Sequence, residues 1–342
     1  MKRIVLTSVV EGYADDFLKD LKALTVNPLD RLFVLETELS HLAQSYSDYV
    51  KTIRINYDDI IKATPGDMDI HTGRIANLFS AFTGTIDLSN QFTLNVIQDN
   101  GSVKSVTMKF YLWIVDALCY DVVQSQIFPK YIKKMGIKSC VYCNAQYAVS
   151  VRKGKTSRSN LFRSTYTLDH YLPKSNYPYL ATSFFNLYPA CSACNQTKSN
   201  RPPIFKLYVK PIDPVVERNP FVFNLDKSSF IKYSLTGNVD DLKIHFSANA
   251  GIPHQLVVDY EKYFHVEALY GNMNDTIEEV IWKYRVYNRA GRKALYDGFS
   301  VVLPNKNDWN RFVLGNFDKA EDIQKRPLAK LVQDVAKQLG II

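Results

Sequence analysis

The sequence contains no long apolar run. None of its hydrophobic stretches approaches the roughly 18 consecutive apolar residues that a membrane-spanning helix requires. The first apolar run, IVLTSVV, soon meets Glu11 and lacks the small-residue cleavage pattern that follows a signal peptide. We therefore interpret this run as a β-strand, and we expect a cytoplasmic protein with no membrane partner.

Internal repeats and low-complexity linkers are also missing, so we expect the parts of the 342-residue chain to pack together and not to be joined by flexible linkers. Three regions can be distinguished. Residues 1–110 form an N-terminal α/β region of unknown role, and 111–203 form a domain that carries all the metal-type spacing. Residues 204–342 form a C-terminal α+β region that is mainly helical at its end. The fold class that follows is α+β.

Local patterns predict individual elements. Apolar residues at helical spacing mark 15–24 and 32–50, and the turn sequence DNG between two alternating runs predicts a hairpin over 92–110. The run YLWIVDALCYDVV fits a buried helix, and FPKYIKKMG fits a second helix capped by Gly136. In the last region FVFNL, FIKYSL and LKIHFSA are predicted strands, and RPLAKLVQDVAKQLG is a predicted amphipathic helix.

Acidic residues are nearly absent from one long segment. Between Lys130 and Lys210 there are 14 Lys and Arg residues but a single acid, Asp169. The formal net charge of the whole chain is +8, so its positive charge is concentrated in this segment. A solvated lysine-rich surface is one interpretation. The concentration favours a polyanion partner instead, because such a footprint is typical of phosphate contacts.

Cysteine is scarce, with five residues, but four of them form two pairs. These are CVYC, with Cys140 and Cys143, and CSAC, with Cys191 and Cys194. In a cytosolic chain two such pairs predict four thiolates around one structural zinc ion. Disulfides are disfavoured in that compartment, buried free thiols rarely occur in two such pairs, and a redox motif explains only one pair. Cys119 lies in an apolar run and is interpreted as a core residue.

The segment between and beside the cysteine pairs reads TYTLDHYLP and then SFFNLYPACSACNQTKSN. After the first cysteine pair come Asp169 and His170, and then Asn186. Asn195 directly follows the last cysteine of the second pair. This order resembles the HNH endonucleases, which are zinc-containing ββα-metal nucleases, over residues 140–200. The third motif position is Asn195 where many members have His. Taken alone, the Asp-His pair would fit a turn with a surface histidine equally well.

The resemblance implies a mechanism for cutting DNA phosphodiester bonds that leaves a 5′-phosphate and a 3′-hydroxyl. His170 would act as general base on water, and Asp169 and Asn195 would hold one divalent ion, Mg²⁺ or Mn²⁺. Asn186 would orient the loop that carries His170, and the four-cysteine zinc would be structural. The residues expected to contact nucleic-acid phosphates are Lys174, Lys198 and Arg201.

The same stretch also looks like HNH nucleases of bacterial anti-phage systems of the Septu- or retron-associated type. That likeness implies an antiviral defence role, with a defence-system ATPase or sensor protein as a possible partner. Two alternatives remain open. One is a non-catalytic, zinc-stabilised module that binds nucleic acid or a partner, and the other is an HNH nuclease that cuts RNA.

Overall fold

The computed structural model of the protein describes residues 1–97, 101–156, 159–213, 218–287, 289–299, 301–302 and 305–342. The fold is mixed α+β with small sheets, as the sequence predicts. Among the helices of these residues, none combines the length and the apolar character needed to cross a bilayer.

The N-terminal region is mainly helical. Its elements are β1 (Ile4–Val5), α1 (Ser8–Lys22), α2 (Pro28–Ser40), α3 (Gln44–Ile55), α4 (Tyr57–Ile61), α5 (Arg74–Phe79), β2 (Gln91–Ile97) and β3 (Val103–Lys109). The predicted first strand is wrong beyond Val5, because Thr7 caps α1 by accepting a hydrogen bond from the Val10 N–H group. The single helix predicted over 32–50 is two helices.

The predicted hairpin is confirmed in its two strands. β2 and β3 pair antiparallel from Gln91 opposite Lys109 to Ile97 opposite Val103. The turn predicted at Asp99 and Asn100 lies outside the described residues.

The central region begins with helices and continues with two hairpins. Its elements are α6 (Phe110–Ala117), α7 (Tyr120–Val122), a π-helical turn (Val123–Ile127), α8 (Phe128–Lys134), β4 (Ser150–Thr156), β5 (Ser159–Ser164), β6 (Thr167–His170), β7 (Leu187–Ala190) and α9 (Ser192–Lys198). The predicted buried helix breaks at Cys119, whose φ is 57°. Gly136 follows α8 with a φ of 70°, which supports the predicted glycine cap.

The C-terminal region supplies short strands and then helices. Its elements are β8 (Tyr208–Val209), β9 (Phe221–Leu225), α10 (Lys227–Thr236), β10 (Ile244–Ala248), α11 (His254–Phe264), α12 (Val266–Tyr270), α13 (Asn274–Val286), α14 (Arg289–Phe299), α15 (Lys306–Leu314) and α16 (Ala329–Gln338). The strand predicted for FIKYSL is wrong. Asp226 caps a helix there by accepting a hydrogen bond from the Ser229 N–H group at 2.7 Å.

The three regions share one core. Buried side chains from each of them, such as Phe17, Tyr142 and Phe223, belong to a single hydrophobic cluster. In addition β1 pairs parallel with β8, so the first strand joins residues that follow the central region. The remaining described strands pair antiparallel, β4 with β5, β6 with β7 and β9 with β10.

Candidate functional site

The four paired cysteines converge on one buried point. The sulfur atoms of Cys140, Cys143, Cys191 and Cys194 all lie within 4.8 Å of one another, and those of Cys143 and Cys191 are 4.0 Å apart. Tetrahedral zinc with bonds of about 2.3 Å places its sulfurs about 3.8 Å apart, so the donors fit zinc in type, number and spacing. The predicted metal-binding cluster is confirmed as a site that could hold such an ion.

Hydrogen bonds from the C-terminal region hold the first cysteine loop, residues 140–144. The phenols of Tyr260 and Tyr270 donate to the carbonyls of Tyr142 and Cys143, at 2.5 and 2.7 Å. Asn144 is buried with a φ of 54°. Its side chain donates to the Ile323 carbonyl and accepts from the Lys330 N–H group.

The second cysteine pair connects a strand to a helix. β6 and β7 pair antiparallel, with Asp169 opposite Tyr188 and His170 opposite Leu187. Cys191 follows β7 directly and precedes the first residue of α9, which contains Cys194. The second cysteine pair is therefore part of a unit of two antiparallel strands and a helix, with the Asp-His pair at the end of the first strand.

A cleft of about 420 Å³ opens beside this hairpin. Four of the residues that the sequence singles out line it, namely Asp169, His170, Lys174 and Asn195. Other polar side chains around it belong to Tyr120, Gln124, Gln196 and Asn200. The cleft is thus mainly polar and carries both members of the Asp-His pair.

His170 is buried, and one ring nitrogen has a fixed partner. Its Nε2 lies 2.9 Å from the Ala181 carbonyl oxygen. Because a carbonyl only accepts, we assign the proton to Nε2, which leaves Nδ1 with a free lone pair. Burial lowers the pKa of His170 to about 3, and the charge of Lys174 acts in the same direction. The imidazole is therefore neutral at neutral pH, as a general base must be.

Asn186 fastens the loop that follows His170. Its side-chain oxygen accepts from the Leu172 N–H group at 2.8 Å, and its amide nitrogen donates to the carbonyls of Leu172 and Leu180, at 3.1 and 2.9 Å. Leu180 precedes Ala181, the residue that fixes the His170 ring. The fully buried amide therefore joins the start of the loop, at Leu172, to the residue beside Ala181.

Asp169 has two close partners in the interior. The Tyr142 phenol donates to its Oδ2 at 2.5 Å, and the Lys198 ammonium lies 3.3 Å from Oδ1 and 3.2 Å from Oδ2. Burial raises the pKa of Asp169, while Lys198 and Tyr142 act in the opposite direction. Burial also lowers the pKa of Lys198, opposed by Asp169.

The residues expected to contact phosphate lie in three different settings. Lys174 lines the cleft, with its ammonium 4.3 Å from the centre of the Tyr120 ring. Arg201 is exposed, and its guanidinium stacks 5.2 Å from the centre of the Tyr263 ring. Lys198, by contrast, is only 2% exposed, and its ammonium donates to the His170 carbonyl at 2.7 Å and does not face solvent.

Part of the basic segment is neutralised within the molecule. Lys130 and Lys134 of α8 contact Asp20 and Asp16 of α1, at 2.6 and 3.2 Å. The positive charge available to a polyanion is therefore smaller than the sequence count suggests.

Asp169 and Asn195 are oxygen donors of the kind that Mg²⁺ and Mn²⁺ prefer. Asn195 is half-buried on α9 and lines the same cleft as Asp169. The carboxylate, however, already has an ammonium against both of its oxygens. The two side chains therefore fit a divalent ion in chemistry, but the Lys198 ammonium occupies the position beside Asp169 where the ion would bind.

Sequence reasoning missed two contacts at this site, those of Tyr142 and of Lys198 with Asp169. Tyr142 lies between two cysteines, and no pattern relates it to an aspartate 27 positions away. For Lys198 the spacing indicates only that it lies near the site, because a residue three positions after Asn195 shares its helix face.

Comparison of the chain with models of protein families, with curated proteins and with solved structures gives no match.

Proposed function

We propose that this protein is an HNH-type endonuclease that hydrolyses phosphodiester bonds in DNA, with a ββα core formed by β6, β7 and α9. The observation that carries the proposal is the state of His170. Its Nε2–H is held by a backbone carbonyl, and the residue lines a polar cleft together with Asp169 and Asn195. A surface histidine at a turn would have neither feature.

In this mechanism Nδ1 of His170 takes a proton from the water that attacks the phosphorus atom. The Ala181 carbonyl keeps the ring in the required tautomer, and Asn186 keeps that carbonyl in place. Burial lowers the pKa of His170 most, and the charge of Lys174 lowers it further, so a phosphate that neutralises Lys174 would remove the smaller of these two effects.

The metals would have separate tasks. A zinc ion held by four thiolates leaves no position for water and would be structural. A divalent ion held by Asp169 and Asn195, Mg²⁺ or Mn²⁺, would supply Lewis-acid stabilisation of charge on the phosphate and the leaving oxygen. Lys174 and Arg201 would contact neighbouring phosphates.

The test is a plasmid-nicking assay with Mg²⁺ or Mn²⁺. We expect wild type to nick, and His170→Ala to lose at least about 100-fold in rate, because a general base contributes about 10²–10⁴-fold. His254→Ala is the matched control, since His254 is exposed at the start of α11, and its activity should equal that of wild type. Equal rates for wild type and His170→Ala would refute the assignment.

A non-catalytic binding module is the second candidate, favoured by the ammonium against the Asp169 carboxylate. If DNA binding persists in EDTA and neither DNA nor RNA is ever cut, that candidate replaces the nuclease. Cleavage of RNA alone would change the substrate but retain the mechanism.

We further propose a role in bacterial anti-phage defence, with an ATPase or sensor protein as activator. The support is the likeness of the segment around Asp169 and Asn195 to such nucleases. In cells that carry the protein with its neighbouring genes, phage plating should fall for wild type but not for His170→Ala. Equal plating for the two would exclude the role.

A further inference from the structure

Lys198 already provides a cation at the proposed ion site. Its ammonium lies 3.3 and 3.2 Å from the two Asp169 oxygens and 2.7 Å from the His170 carbonyl oxygen. Three oxygen atoms thus surround one positive charge in a position only 2% exposed to solvent. Such a set of oxygens is also what a hard metal ion requires.

The ammonium and a divalent ion cannot occupy this position together. A divalent ion binds carboxylate oxygens at about 2.0–2.2 Å, so an ion between the two Asp169 oxygens would overlap the Lys198 ammonium. An ion on a single oxygen would still lie a few ångströms from the ammonium, where two buried like charges repel strongly. The second oxygen also accepts the Tyr142 phenol.

We propose that Lys198 and the divalent ion are alternative occupants of the Asp169 carboxylate, so that the ion binds only when the Lys198 ammonium withdraws. The inference rests on the proposed function and concerns the regulation of that site. The Lys198–Asp169 ion pair is then a resting state, in which the lysine neutralises the carboxylate in place of the metal ion.

The position of Lys198 provides a path for withdrawal. It is the last residue of α9, and the next residue, Ser199, has a φ of 47° and lines the cleft. The lysine ammonium is carried on a flexible four-carbon stem, so it can leave Asp169 while the helix stays in place. On the cleft side it would meet a substrate phosphate, which joins ion binding to substrate binding.

A purely supporting role for Lys198 makes the opposite prediction. If the ammonium only ties α9 to β6, its removal should weaken the site and lower its affinity for a divalent ion. If the ammonium competes with the ion, its removal should raise that affinity. The sign of the change separates the two roles.

The experiment measures Mn²⁺ binding to the zinc-loaded protein, without nucleic acid, by the electron paramagnetic resonance signal of free Mn²⁺. Lys198→Met should bind Mn²⁺ at least about tenfold more tightly than wild type, equivalent to about 1.4 kcal/mol. Its melting temperature should also rise more when Mn²⁺ is added. Lys130→Met is the matched control, because it removes a lysine charge that pairs with Asp20 outside the cleft, and its affinity should change less than about threefold.

Unchanged or weaker Mn²⁺ binding by Lys198→Met, with zinc content and melting temperature close to wild type, would overturn the proposal. If Lys198→Met does not fold, Lys198→Gln replaces it, since its amide can still donate to the His170 carbonyl without a charge. Asp169→Asn should abolish the binding. The nicking assay is independent, so a wild type that cuts while Lys198→Met gains no Mn²⁺ affinity refutes only the competition.

Discussion

At the scale of single residues, His170 is the most informative group. It is 6% exposed, its Nε2 is committed to the Ala181 carbonyl, and its pKa is lowered to about 3. A histidine that is neutral in the folded state but free to protonate in the unfolded state makes stability depend on pH. The group that would accept a proton from water therefore also leaves a thermodynamic signature.

The sign of this dependence follows from the lowered pKa. Between about pH 6.5 and about pH 3 the unfolded chain binds a proton that the folded protein does not, so stability is lost as the pH falls. From about pH 7.5 to about pH 5.5 the loss due to His170 should be about 1.4 kcal/mol. Urea unfolding of wild type and His170→Gln at both pH values measures it.

The comparison isolates one histidine, because the two proteins share every other titrating group. The glutamine amide of the His170→Gln variant can still donate to the Ala181 carbonyl. A difference in stability that stays constant with pH would show that His170 is charged or solvent-exposed in the folded protein.

At the scale of elements, the loop over 171–186 determines where the His170 ring can point. Residues of the N-terminal region support it. Tyr179 stacks on Phe79 with ring centres 3.8 Å apart, and the Ser183 hydroxyl donates to the Ile60 carbonyl at 2.6 Å. Phe184 packs against Phe17 at 5.5 Å. The first helices therefore contribute to the site by holding this loop, a role that their sequence does not indicate.

Asn186 is the polar centre of the loop, and its removal should be costly. We expect Asn186→Ala to lower the free energy of unfolding by at least about 3 kcal/mol, because each buried backbone group left unpaired costs about 1–3 kcal/mol. Urea unfolding measures the change. Asn176→Ala is the control in the same loop, since Asn176 is exposed and should cost less than about 0.5 kcal/mol. Similar losses for both variants would contradict the assigned role of Asn186.

At the scale of the whole molecule, the cysteine cluster joins elements that are distant in sequence. It connects the loop at Cys140 to α9, and the C-terminal region holds that loop through Tyr260, Tyr270 and Lys330. Tyr142 extends the connection to Asp169. The cysteine cluster and the cleft are thus parts of one packed unit.

Loss of one thiolate should therefore affect folding as well as activity. We expect Cys140→Ser to give little soluble folded protein, because zinc binding in such sites is part of the folding free energy. Soluble yield, zinc content by elemental analysis and thermal melting measure the outcome. Cys119→Ser is the matched control, since Cys119 is buried but outside the cluster, beside the carbonyls of Val26 and Ala117.

We expect the Cys119 variant to remain soluble with a full zinc content. A Cys140→Ser protein that is soluble, melts at the wild-type temperature and contains no zinc would refute a structural metal.

The parts of the fold that sequence predicted are those set by local chemistry. Two C-x-x-C pairs indicate a metal site wherever the chain brings them together, and alternating residues around a turn indicate a hairpin. FIKYSL failed because the Asp226 cap outweighs β propensity. The burial of Lys198 could not be predicted from the sequence, because it depends on Asp169, 29 positions away, which only the folded structure places beside the lysine.

The cysteine loop and its support become available at different times as the chain is made. All four sulfur ligands have left the ribosome soon after Cys194, whereas the groups that hold Tyr142, Cys143 and Asn144 come from residues 260–330. Because domains form progressively during synthesis at about 5–20 residues per second, we expect zinc to load several seconds before the C-terminal helices arrive. Thiolates that have not bound zinc in that interval stay open to oxidants, so we expect a shortage of zinc to lower the fraction of newly made chains that reach the folded state.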